Sequence, residues 1–97
     1  TLVSSNPARF SKITSLPGAI TLKFAEPLLT IKGKQVNSFQ LFDPKHNELT
    51  GPAVTSGSRI SAPIIAFKGI KGRYWIKYRV VAQDGHVVVG ATFFYLK

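Results

Sequence analysis

The side chains able to ligate a metal, or to trade protons near neutral pH, are few: two histidines and four acidic residues, with no cysteine and no methionine. In Asp84-Gly85-His86 a carboxylate and an imidazole stand one residue apart. Taken alone this is a β-turn, in which Asp can bond its own backbone two residues on and Gly permits positive φ. At a strand edge the same spacing lets both side chains converge on an ion at the rim of a sheet. His46 follows Asp43-Pro44 and reads as a solvated turn histidine. The lack of cysteine removes disulfides, thiolate metal sites and cysteine nucleophiles. There is no Gly-x-Ser-x-Gly elbow and no glycine-rich phosphate loop, and Asp84 and His86 are too close in sequence to serve a serine triad. No enzyme is expected.

The elements that must position these residues are strands. Hydrophobic residues make up 44% and charged residues 18%, which excludes a disordered chain. No apolar run is long enough for a membrane-spanning helix. Gly and Pro punctuate short apolar runs, the pattern of an all-β domain. The expected strands are Leu2–Ser5, Ala19–Ala25, Val36–Phe42, Ala53–Thr55, Arg59–Ala62, Tyr74–Gln83 and Val87–Leu96. About seven short strands argue for a two-sheet antiparallel sandwich or a small barrel. The length fits a single domain over residues 1–97.

In Tyr74–Gln83, Tyr74, Ile76, Tyr78, Val80 and Ala82 share one face and form the expected core face. A hairpin folded about Gly85 would set Ala82 opposite Val88, Tyr78 opposite Thr92 and Ile76 opposite Phe94. On the outer face it would set Trp75 opposite Tyr95, and Lys77 opposite Phe93. Trp75, Lys77, Phe93 and Tyr95 thus form a candidate interaction surface, apolar and rimmed by cations, with Lys77 and Arg79 placed for cation–π contacts. The alternative is a covered face, with Leu28–Gln35 as the cover.

Thirteen basic residues against four acidic ones give a formal charge of +9. That field favours anionic partners, but the cations are scattered and form no basic arm, so no nucleic-acid partner is expected.

Several segments together resemble one family. Leu2-Val3-Ser4-Ser5-Asn6-Pro7-Ala8, Ile20-Thr21-Leu22-Lys23-Phe24-Ala25-Glu26-Pro27 and the run Gly72 to His86, followed by Val88 and Gly90, are similar in order and spacing to the CopC-type copper-resistance domain. The resemblance implies an Ig-like Greek-key antiparallel β-sandwich of about seven strands, in the periplasm or at the cell surface. It implies a precursor with a signal peptide or membrane anchor, and Cu(II) binding without catalysis. The family's site joins an N-terminal histidine, through amine and imidazole, to the Asp and His of the turn. The matching positions are Asp84 and His86, a ligand set suited to the tetragonal preference of Cu(II).

This sequence departs from the pattern in three places. Thr1 stands directly before the matching Leu2, so the family's histidine would lie upstream, and the Thr1 amine is expected to be a poor, misplaced substitute. Val87 replaces the usual proline. The absence of methionine excludes a Met-rich Cu(I) site. The resemblance implies a monomer whose partners are the copper ion and a membrane-embedded copper transporter domain or other envelope component. The alternative is a sandwich that has lost its metal and serves as an interaction module.

Overall fold

The computed structural model describes all residues, Thr1–Lys97. Eight strands run in the order β1 (Leu2–Asn6), β2 (Lys12–Ile13), β3 (Ala19–Phe24), β4 (Ser38–Phe42), β5 (Val54–Ser56), β6 (Arg59–Pro63), β7 (Gly72–Val81) and β8 (Val87–Leu96). They form two four-stranded sheets, β1-β3-β6-β5 and β2-β8-β7-β4, in an all-β Ig-like sandwich with crossovers between the sheets.

Alternation builds the core. Ile20, Leu22 and Phe24 of β3 and Ile60 and Ala62 of β6 face Leu41 of β4, Tyr74, Ile76 and Val80 of β7, and Phe94 of β8, all fully buried or nearly so. The intervening residues point outward, as period-2 geometry requires. Tyr74 and Phe94 stack at 5.6 Å, and Phe24 meets Tyr78 edge-on at 5.4 Å. Gly90 lies opposite Tyr78, and a Cβ there would stand 2.6 Å from the ring's Cζ, so the tyrosine takes the space that glycine leaves.

Three expectations are corrected. A two-residue strand, β2, was not foreseen, and it runs parallel to β8 through Lys12–Tyr95 and Ile13–Leu96, which makes that sheet mixed. β7 begins at Gly72 rather than Tyr74 and ends at Val81. The β7–β8 register is shifted by two residues: Trp75 pairs with Phe93, Ile76 with Thr92, Lys77 with Ala91, Tyr78 with Gly90 and Val80 with Val88. The turn explains the shift. Gly85 N–H bonds to the Ala82 carbonyl and Ala82 N–H to the His86 carbonyl, with Gly85 at φ 89°. Gln83, Asp84 and Gly85 are therefore a three-residue loop whose last member is left-handed, so the hairpin pivots on Asp84. A shift of two keeps every side chain on its expected face.

Two polar groups in the interior differ in their fate. Asp43 is buried, yet its carboxylate accepts the N–H groups of Lys45 and Asn47, each at 2.9 Å, and the Asn47 amide at 2.8 Å. Burial pushes its pKa up, but these hydrogen bonds and the charge of Lys68 outweigh it and hold the pKa below 3.8. Thr92 has a buried hydroxyl without a hydrogen-bond partner.

Folding lowers the Asp43 pKa, so its charged form stabilises the protein above pH ~4 and that contribution is lost as pH falls through the lowered folded value. Asp43→Ala is expected to cost about 1–3 kcal/mol at neutral pH by stranding three donors. It should also flatten the acid side of the stability profile in urea titrations run at falling pH. Thr92→Val removes the unpaired hydroxyl at constant shape and should leave the thermal midpoint unchanged or raise it.

Candidate metal centre

The connections of the sandwich leave it at two ends. At one end lie the β3–β4 connection, the β5–β6 turn, the β7–β8 turn and the start of β1. Here Thr1, Glu26, Ala82, Asp84, His86 and Val87–Val89 line a cleft of about 370 Å3. The turn that carries Asp84 and His86 is held from both sides. The Asp84 carboxylate accepts the backbone N–H of His86 at 2.9 Å, which ties the carboxylate to the turn's own backbone. The incoming strand is then stitched to the segment after β3: Leu29 N–H bonds to the Val81 carbonyl, Gln83 N–H to the Pro27 carbonyl, and Leu28 bridges Ala82. Pro27 cannot continue the β3 ladder, so the chain leaves the sheet at Glu26 and runs under the turn.

The amino-terminal segment enters the same cleft. Leu2 pairs with Phe24 and Ala25 N–H bonds to the Thr1 carbonyl, which brings the Thr1 nitrogen into an ion pair with Glu26. Thr1 thus lines the same cleft as Asp84 and His86. Asp84 and His86 are both exposed. No three histidine or acidic side chains are arranged to hold a metal ion, so any third ligand must come from outside that set.

Two residues escaped the sequence reading. Glu26 lay inside a recognised strand motif, but its place under the turn depends on pairing between segments distant in sequence. Asn37 is buried, and its side chain joins three elements: Oδ1 accepts the Val81 N–H at 2.7 Å, while Nδ2 donates to the Leu29 carbonyl at 2.8 Å and to Thr55 Oγ1 at 3.3 Å. The sequence reading set Asn37 inside the expected strand Val36–Phe42, whereas β4 begins only at Ser38 and leaves Asn37 free to turn inward.

The outer face of the β2-β8-β7-β4 sheet carries the other candidates. Trp75, Phe93 and Tyr95 are each half-buried and Lys77 is exposed. The rings of Trp75 and Tyr95 stand 5.0 Å and 5.5 Å from that of Phe93. The residue over them is Arg73, not Lys77 or Arg79. Its guanidinium lies 4.7 Å from the Phe93 centroid and donates to Tyr95 Oη at 2.9 Å. Lys77 instead lies over Phe42, at 5.5 Å. The covering segment is also different from the one expected. Phe10, from the β1–β2 connection, bonds through its N–H to the Phe93 carbonyl and packs edge-on at 4.9 Å, whereas the segment after β3 lies against the β7–β8 turn. His46 is exposed in its turn, at φ 65°, beside Phe42, Trp75 and Lys77.

The model of the CopC domain family matches residues 2–97. Among solved structures, CopC from Methylosinus trichosporium OB3b superposes with a TM-score of 0.77 at 22% identity, covering 99% of this chain and 91% of that one. PcoC from Escherichia coli, a copper resistance protein, gives 0.76 at 23% identity, covering 100% of this chain and 99% of that one. At these identities the superpositions establish the fold. No match was found among curated proteins.

Asn37→Ala should strand the Val81 N–H and loosen the segment under the turn. The expected cost is about 1–3 kcal/mol in denaturant unfolding. Hydrogen exchange should quicken first at Leu29 and Val81, ahead of the core strands.

Proposed function

The chain belongs to the CopC family, and we propose that it binds Cu(II) in the cleft shared by Thr1, Glu26, Asp84 and His86, as an extracytoplasmic module of copper homeostasis or resistance. The observation that carries this reading is the convergence of three separate segments on one cleft: the β7–β8 turn, the exit of β3 and the amino-terminal end. The turn brings an imidazole and a carboxylate and the exit of β3 a carboxylate, donors of the class Cu(II) prefers, and the amino-terminal end directs the chain that precedes Leu2 into the same cleft. The role is binding and release rather than catalysis, by a single sandwich unit over residues 1–97 acting as a monomer.

The imidazole of His86 and the free oxygen of the Asp84 carboxylate act as the turn's ligands, the other carboxylate oxygen accepting the His86 N–H. A histidine preceding Thr1, as in the family pattern, would enter the same cleft because the pairing of Leu2 with Phe24 fixes the direction of entry. Glu26 then stays beside the ion and offsets part of its charge. The ligands are exposed, so copper can be handed to a recipient without unfolding, a membrane-embedded copper transporter domain or other envelope component being the partner of that exchange. The net charge of +9 repels a dication at long range, but physiological salt screens it beyond about 8 Å and local ligation dominates.

Cu(II) titration followed by electron paramagnetic resonance should give a tetragonal signal with nitrogen coupling. His86→Ala should abolish it, and Asp84→Asn should weaken binding about tenfold or more, a loss of at least about 1.4 kcal/mol. Both side chains are exposed, so neither substitution should move the thermal midpoint of the metal-free protein. An unchanged signal in His86→Ala would remove this site.

A further inference from the structure

The opposite end of the sandwich has a different chemistry. Three connections leave the sheets there: residues 7–18, with the short β2 among them, residues 43–53 and residues 64–71. Bulky apolar side chains project from two of them. Phe10 is 63% exposed, Ile65 69% and Phe67 50%. These are not failed core residues. Ile64 packs on the core and the Ile70 carbonyl accepts the Tyr74 hydroxyl, so residues 64–71 are pinned near both ends with Ile65 and Phe67 directed outward. Phe10 sits at φ 62°, a conformation that bulky side chains avoid, and is held there by its bond to Phe93.

Charge surrounds these side chains. The three connections carry Arg9, Lys12, Lys45, Lys68 and Lys71 against only Asp43 and Glu48. Asp43 is buried, with its carboxylate bonded within its own loop. Arg9 precedes Phe10 and Lys68 follows Phe67, so each exposed ring has a cation beside it in sequence.

We infer that this end of the sandwich docks on an anionic lipid bilayer. Ile65, Phe67 and Phe10 enter the boundary between headgroups and acyl chains, while Arg9, Lys68 and Lys71 engage lipid phosphates. Charge complementarity selects the anionic partner. The dispersion of apolar side chains over separate loop tips favours a bilayer over a protein, because a lipid surface admits isolated side chains without a matching set of pockets. β7 and β8, ten residues each, span roughly 30 Å and hold the Asp84–His86 turn at the other end, away from the lipid. The two sites are thus separate, and the test needs no metal.

The metal-free chain should co-sediment with vesicles of equal parts phosphatidylcholine and phosphatidylglycerol, and not with phosphatidylcholine alone. Raised salt should weaken it. Lys68→Glu with Lys71→Glu should reduce partitioning by at least about fivefold per charge removed. Ile65→Ser with Phe67→Ser should reduce it about tenfold or more while leaving the thermal midpoint in place. No binding to the anionic vesicles overturns the proposal. So does binding that ignores the Ile65 and Phe67 substitutions, which would be adsorption by charge only. Concentration-dependent dimers in sedimentation velocity, lost in that double variant, would assign the patch to a second copy of the chain and overturn it as well.

Discussion

The fold depends on one uninterrupted antiparallel pairing, β7 with β8, which runs from Gly72–Leu96 to Val81–Val87 without a break. A ladder of this length fixes two things together. Alternation sends Tyr74, Ile76, Val80 and Phe94 inward as one face, so the core is built on it. Its closed end also carries the two side chains best suited to hold a metal. A slip of one residue would turn the inner face to solvent and move Asp84 and His86 away from the segments that complete their cleft. The requirement for a packed core therefore also sets the register that places the turn at the end of the sandwich.

The turn needs more than its strands, because a hairpin loop at a sheet end is free to sway. The segment after β3 supplies the constraint. Pro27, Leu28 and Leu29 bond to residues 81–83 on the incoming strand, and Asn37 closes the same region from the side. Burying an asparagine is costly unless its amide is satisfied, and here both oxygen and nitrogen are bonded. Thr92 shows the other outcome: its hydroxyl lies in the core with nothing to accept or donate, and it contributes no comparable link. Polar groups in this interior earn their place where they join segments that hydrophobic packing alone would leave unregistered.

Much of the architecture was legible from alternation and punctuation, because both are local. The inner face of β7, the bounds of β8 and the stop at Glu26-Pro27 follow from period 2 and from proline's missing donor. The pivot of the hairpin did not follow. Asp84-Gly85-His86 reads as a turn centred on Gly85, yet Gly85 serves as the left-handed last residue of the loop Gln83–Gly85, a distinction made by hydrogen bonds rather than by residue type. β2 was missed because two residues carry no period, and it exists only by parallel pairing with the end of β8. The site was half legible. Asp84 and His86 stand together in sequence, whereas Thr1 and Glu26 come to line the same cleft only through pairing across the chain.

The outer aromatic face shows why parity alone does not establish a surface. Parity placed Trp75, Phe93 and Tyr95 on the side away from the core. Arg73 lies across all three rings and Phe10 packs on the central one. An arginine over aromatic rings satisfies their quadrupoles and covers apolar area with its stem, so much of what an external partner would gain there is already supplied within the chain. Phe10 covers Phe93 with one side of its ring yet remains largely exposed. The apolar surface is thus displaced from the flat of the sheet to its end, where Ile65 and Phe67 have no arginine over their side chains and exposed lysines stand nearby in sequence.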